Sequence, residues 1–94
     1  QGEIARFEAI IRQKVERSWT RPATTREGLE CTVQVRLVPV GEVLQVTEMR
    51  SSGNPLFDRS AVNAIYKASP LPVPDDKSMF DHFREFEFKF RPEG

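Results

Sequence analysis

The residues that could perform acid–base or nucleophilic chemistry are few and scattered along the 94-residue chain. His82 is the single histidine and Cys31 the single cysteine. A metal site needs several histidine, cysteine or carboxylate ligands at suitable spacing, and a catalytic thiol needs a histidine partner. Cys31 instead begins an apolar strand pattern, so we expect it to be a small buried hydrophobe. We predict that the domain is not an enzyme and binds no metal, cofactor or small-molecule substrate.

Asp75 and Asp76 form an adjacent carboxylate pair, but capping of a short helix explains the pair better than acid–base catalysis. No glycine motif for phosphate binding follows a strand. The 14 basic and 14 acidic residues cancel, so no bulk field steers the chain toward nucleic acid or an anionic membrane. No apolar run approaches the ~18 residues of a membrane span. The single cysteine excludes an internal disulfide.

The most regular pattern lies near the end of the chain, where phenylalanine alternates with charge. Successive side chains of a strand point to opposite faces, so this segment is predicted to be a half-buried strand over 85–91. The phenylalanines are expected on the core face and the charged residues on the solvent face: Phe86, Phe88 and Phe90 against Glu85, Glu87, Lys89 and Arg91. RNA-binding sheets also carry alternating aromatics, although the acidic residues and zero net charge disfavour that function.

The elements that must position this strand can be predicted from apolar periodicity and turn residues. They are an amphipathic helix over 1–19, a β-hairpin over 29–50, a helix over 54–68, a proline connector over 69–74, a short helix over 75–83 and the terminal strand. Asn54 followed by Pro55 is a helix start. The faces of the second hairpin strand are less clean than those of the first. The order predicts an α+β fold, with helices packed on one face of a three-stranded antiparallel sheet.

The start of the chain leads us to expect that the sequence is a piece of a longer protein. The chain begins with Gln1, and the first helix has no convincing N-cap. We therefore expect that this helix continues from a stalk upstream of the sequence.

Four segments in order resemble the C-terminal domains of the TolA family. They are the helix Ile11–Trp19, the strand and turn Cys31–Gly41, the middle helix and proline connector over 51–61 and 67–72, and the closing strand over 86–92. The match covers nearly all of a single domain over 1–94, and TonB C-terminal domains resemble it more distantly. Some family members pair the strand cysteine with a second cysteine early in the middle helix. Asp58 stands at that position here, so the resemblance implies a core without that disulfide.

The resemblance implies a non-enzymatic, periplasmic interaction domain of an inner-membrane-anchored protein in a Tol–Pal system, which supports envelope integrity and cell division. It implies TolB and Pal as partners, TolQ and TolR as partners of the absent membrane part, and colicin translocation domains and a filamentous-phage coat protein as ligands that exploit the domain. Three alternatives remain. One is a TonB-like energy-transducing domain that contacts outer-membrane transporters, and another is a nucleic-acid-binding α+β domain. A small enzyme or ligand-binding domain ranks last, because the sequence offers no convergent set of polar groups.

The mechanism that we predict is β-augmentation, in which an extended partner segment adds to an exposed sheet edge. The terminal strand is the predicted edge, with the partner-binding residues Glu85, Phe86, Glu87, Phe88, Lys89, Phe90 and Arg91. The charges on its outer face are typical of an edge protected against indiscriminate pairing. A proline at Phe88 is expected to abolish partner binding.

Overall fold

The computed structural model describes residues 2–23 and 25–92, so the predicted domain ends at residues 1, 93 and 94 lie outside the described residues. Three helices and three strands follow in the order α1 (Gly2–Ser18), β1 (Cys31–Leu37), β2 (Val43–Arg50), α2 (Pro55–Ala68), α3 (Lys77–Phe80) and β3 (Glu85–Phe90). The strands form one antiparallel sheet in the order β2-β1-β3. The predicted α+β fold is confirmed. Within the described ranges, no helix is both long and apolar enough to cross a membrane.

The core lies between the sheet and the two long helices. The apolar residues of the central strand β1 are buried, because one face of the sheet is covered by the apolar faces of α1 and α2, and Thr32 on the other face is buried as well. The buried side chains from these elements are Cys31, Val33, Val35 and Leu37 on β1, Ile11 and Val15 on α1, and Phe57, Ala61, Ala64, Ile65 and Ala68 on α2. The small alanines allow α2 to approach the sheet closely.

Trp19 joins the first helix to the rest of the core. Its ring meets Phe57 and Phe90 edge-on, with centroids 5.5 and 5.1 Å apart. Its indole N–H donates to the Ser60 hydroxyl at 2.9 Å, so the polar tip of this buried aromatic is satisfied. These contacts fix the end of α1 relative to both α2 and β3.

The helix starts follow their sequence signals, but the third helix is shorter than predicted. The Asn54 side chain accepts from the backbone N–H groups of Leu56 and Phe57, which caps α2 ahead of Pro55. Asp76 caps α3, which ends at Phe80 instead of residue 83. The chain then turns over residues 81–83.

The proline connector is held against the tip of the hairpin. Leu71 N–H donates to the Gly41 carbonyl at 2.8 Å, and the Leu71 side chain is buried. Gly41 has φ of 94°, and a Cβ at this position would clash with the Leu71 carbonyl oxygen. Only glycine fits both the backbone angle and this close approach.

The hairpin partner β2 pairs with β1 through two register shifts, between Thr32 and Val33 and between Arg36 and Leu37. A bulge places an extra residue in one strand and disturbs the alternation of its faces. This irregularity accounts for the less clean apolar pattern of β2 in the sequence.

Candidate partner-binding edge

The sheet has two edge strands, β2 and β3, because β1 lies between them. An edge strand presents unpaired backbone N–H and C=O groups, which are a template for pairing with another chain. The two edges differ in how much of the domain covers them.

The backbone of β3 divides into groups that pair with β1 and groups that point outward. Leu37 N–H donates to the Arg84 carbonyl at 2.9 Å, which makes these two opposite residues a hydrogen-bonded pair. Hydrogen-bonded and non-hydrogen-bonded pairs alternate along an antiparallel ladder. With the observed register, the backbone groups of Phe86, Phe88 and Phe90 therefore point toward β1. Those of Glu85, Glu87 and Lys89 point away from the sheet.

This division changes which substitution can test the predicted edge. A proline at Phe88 would remove a hydrogen bond to Val33 inside the sheet, so it would disrupt the fold instead of testing the edge. The outward N–H of Glu87 is the informative position, since proline is tolerated where an edge strand's N–H faces solvent.

The side chains of the predicted site segment lie on two faces. Phe88 is 5% exposed and Phe90 is 1% exposed, so both rings belong to the core, while Phe86 is half-buried. The charged side chains are exposed on the opposite face: Glu85, Glu87, Lys89 and Arg91. What a partner would meet at this edge is therefore outward backbone, the charged row and part of Phe86. Whether these residues bind a partner remains a prediction.

Two cross-strand ion pairs join this charged row to β1 and its preceding residue. Arg91 Nε lies 2.7 Å from Glu30 Oε2, and this hydrogen bond lowers the pKa of Glu30. Arg36 Nε lies 3.7 Å from Glu85 Oε2, and both side chains are about half exposed, so this pair contributes little to stability.

The other edge, on β2, is partly closed by side chains from the end of α2. The Tyr66 hydroxyl accepts from Val46 N–H at 3.2 Å, and the Ser69 hydroxyl accepts from Val43 N–H at 3.0 Å. Among the described residues, no side chain of the domain makes such a hydrogen bond with an outward backbone group of β3. The more accessible edge is therefore β3.

A groove runs between α1 and β3, beside the inner face of the β3 edge. Its volume is about 270 Å³. Apolar residues from both elements line it, together with the exposed residues Glu8, His82 and Glu87. Arg12 of α1 holds its guanidinium 4.8 Å from the centre of the Phe88 ring. We call this cleft the α1–β3 groove.

Cys31 and Asp58 form a buried polar contact on the other side of the core. Burial raises the pKa of the Cys31 thiol to about 12, and the charge of Asp58 adds to the rise. A thiol that remains protonated is not a nucleophile, so Cys31 has a packing role. The contact also places Asp58 beside Cys31. The family resemblance implies that this is the position of the second cysteine in relatives that have the disulfide.

The Asp58 carboxylate accepts three hydrogen bonds from the loop that precedes α2. The hydroxyls of Ser51 and Ser52 and the backbone N–H of Ser52 all donate to its carboxylate. Burial alone would raise the pKa of Asp58, but these hydrogen bonds outweigh it and lower the pKa. The ionised carboxylate thereby holds the loop between β2 and α2 in place.

The other residues that the sequence offered for catalysis or metal binding include Asp76 and His82, and Asp76 caps a helix. The Ser78 hydroxyl donates to Asp76, as do the backbone N–H groups of Ser78 and Met79, and these hydrogen bonds lower the pKa of Asp76. His82 lies in the α1–β3 groove. Residues 2–23 and 25–92 include no cluster of three or more histidine, cysteine or carboxylate side chains suited to a metal ion.

Three contributors to the site were missed by sequence reasoning. Tyr66 and Ser69 close the β2 edge, and Arg12 lines the α1–β3 groove. The exposed position of Tyr66 on α2 is the one local signal, because a large aromatic on a solvent face suggests contact with something outside its own helix.

Comparisons with known proteins agree with this architecture. A family model described as TonB C terminal matches residues 4–90. The chain is 31% identical over 87 residues to the Tol-Pal system protein TolA of Pseudomonas aeruginosa, which covers 89% of this chain but 25% of that protein. A solution NMR structure of TolAIII bound to a peptide derived from the N-terminus of TolB superimposes with a TM-score of 0.80 and 31% identity. The superposition covers 92% of this chain and 72% of that one.

Proposed function

The chain belongs to the TonB C-terminal family, and we propose that it is the TolA-like protein-interaction domain of a Tol–Pal system. Its resemblance to TolA is confirmed, and the chain spans about a quarter of the length of that relative. We propose that the domain binds an extended segment from the N-terminus of TolB by β-augmentation at the β3 edge. The related TolAIII domain was solved with a peptide from that region of TolB, which supports the choice of partner.

The observation that carries this proposal is the difference between the two edges. The outward backbone of β3 at Glu85, Glu87 and Lys89 is not closed by the domain's own side chains, whereas Tyr66 and Ser69 occupy donors on β2. Backbone hydrogen bonds supply affinity in β-augmentation, so the open edge is the one that offers it. The charged outer row would then discriminate among partners.

Our proposals for the location and the further partners of the protein are supported by its similarity to TolA and not by the structure of this domain alone. We propose that the domain lies in the periplasm as part of a membrane-anchored protein, that Pal is a further partner and that TolQ and TolR contact the rest of that protein. Colicin translocation domains and a filamentous-phage coat protein remain proposed ligands of the same domain. We also propose that the domain has no catalytic activity, which is supported by the packing and capping roles of Cys31 and Asp76.

The direct test is amide shift mapping of the labelled domain with a peptide from the N-terminus of its own TolB. We expect the largest changes at the outward N–H groups of Glu85, Glu87 and Lys89, and small changes at Val43 and Val46 of β2. Perturbations concentrated on β2 and α2 would place the binding site on the other edge. Absence of binding at millimolar peptide would remove TolB as the partner.

A further inference from the structure

We infer that the α1–β3 groove is a side-chain pocket that selects which extended segment can add to β3. The inference rests on the proposed β-augmentation at this edge and specifies the partner chemistry. The preferred segment has aliphatic residues at alternate positions, and on its other face it carries one anion and one cation.

The first step is the geometry of an added strand. Its residues opposite Phe86 and Phe88 would project to the inner face of the sheet, because side chains of paired strands share a face at opposite positions. The groove opens on that face, and Phe86 and Phe88 both line it. The inward side chains of the segment would therefore enter the groove directly.

The second step is the nature of the lining. Phe86 is half-buried although its neighbours Phe88 and Phe90 are buried, so it retains apolar surface at the groove. Phe83 meets Phe86 edge-on at 6.4 Å, and Ile11 lines the α1 side. A volume of about 270 Å³ accommodates aliphatic side chains, and burying them there would be favourable. The other half of the lining is charged or polar, but these residues are exposed, so the buried part of the groove is apolar: Glu8, Arg12, His82 and Glu87 are the exposed ones. A polar side chain that reached the buried part would lose hydration without a matching partner there.

The third step concerns the outer face. Glu85 and Arg91 already have ion-pair partners on the β1 side, whereas in the described part of the chain no ion pair involves Glu87 or Lys89. A segment residue opposite Glu87 is therefore expected to be a cation, and one opposite Lys89 an anion. Opposite charges at facing positions of a sheet stabilise the pair, and like charges destabilise it.

The test uses two capped heptapeptides that differ only in charge order. In the first, the sequence is threonine, leucine, glutamate, leucine, lysine, leucine and threonine, which fits antiparallel addition. The second is its reverse, which fits parallel addition. For each, a variant replaces the three leucines by serine. Dissociation constants are measured by fluorescence anisotropy, and the binding site is mapped by amide shifts.

We expect the leucine peptide of the better charge order to bind at least about tenfold more tightly than its serine variant. The two charge orders should differ by at least about threefold, and the tighter one identifies the strand direction. Filling the groove from α1 by Glu8→Trp should bring the leucine peptide close to the serine level. Gln13→Trp, on an exposed position of α1 outside the groove lining, is the matched control and should leave binding unchanged.

Different outcomes would refute the selecting groove, the charge preference and the proposed function. Equal affinities for leucine and serine peptides, with shifts at Glu87 and Lys89, would overturn the selecting groove and leave edge addition standing. Equal affinities for the two charge orders would overturn the assigned charge preference. If none of the four peptides and no TolB peptide perturbs β3, the proposed function fails together with this inference.

Discussion

Replacing Glu87 by proline should strongly weaken edge binding while leaving the domain folded. Glu87 N–H points away from the sheet, so the substitution removes no hydrogen bond between β3 and β1. The Glu87 side chain is exposed and has no ion-pair partner within the described chain. We therefore expect the free energy of unfolding to fall by less than about 1 kcal/mol, mainly from adjusting φ to the proline ring.

The effect on binding is expected to be much larger. In an added strand, Glu85, Glu87 and Lys89 would each offer one N–H and one C=O. A net backbone hydrogen bond is worth about 0.5–1.5 kcal/mol, and proline removes the central one. Its ring also occupies the space of the N–H and holds the partner strand away from neighbouring groups. A total loss of about 2 kcal/mol corresponds to roughly 30-fold weaker binding.

The assay combines guanidinium unfolding with anisotropy titration of a labelled peptide from the N-terminus of TolB. Glu87→Ala is the control, because it removes the same charge but keeps the N–H, and it should change affinity by less than about threefold. Phe88→Pro should instead unfold the domain, since it breaks the pairing with Val33 and removes a buried ring. A folded Glu87→Pro variant with unchanged affinity would refute pairing at β3.

Three further substitutions test individual parts of the structure. Asp58→Ala should cost about 2–4 kcal/mol at pH 7. Because the folded-state pKa of Asp58 is lowered, its contribution is present above the unfolded-state pKa of about 4 and is lost as pH falls through the folded-state value. Denaturant unfolding should accordingly show a smaller difference at pH 2.5, and a constant difference would contradict the assignment. Tyr66→Phe, which frees Val46 N–H, should lower stability by about 1 kcal/mol and leave peptide affinity unchanged in titration; weaker binding would implicate β2. Gly41→Ala should lower the melting temperature by roughly 10 °C in calorimetry, because its Cβ would meet the Leu71 carbonyl; an unchanged value would show that the connector moves freely.

Much of the fold was accessible from local patterns. The alternation from Glu85 to Arg91 has period two, so it separates the core face from the solvent face without knowledge of any neighbour. Asn54 with Pro55 marks the start of α2 because capping involves adjacent backbone groups. The short helix was predicted too long, since Met79, Phe80 and Phe83 have helical spacing, yet Phe83 is buried from a turn after α3. Spacing alone does not distinguish a helix from a turn that buries the same residues.

The difference between the edges is a property of the assembled domain. The sequence alone shows that β3 alternates and carries opposite charges, because those features depend on nearest neighbours. It does not show that β1 is central, that Leu37 pairs with Arg84 and so turns the Glu87 N–H outward, or that Tyr66 reaches Val46 from 20 positions away. Likewise, the α1–β3 groove exists because the packing of Trp19 against Phe90 sets α1 beside the last strand. Such contacts depend on long-range packing, which no local periodicity encodes.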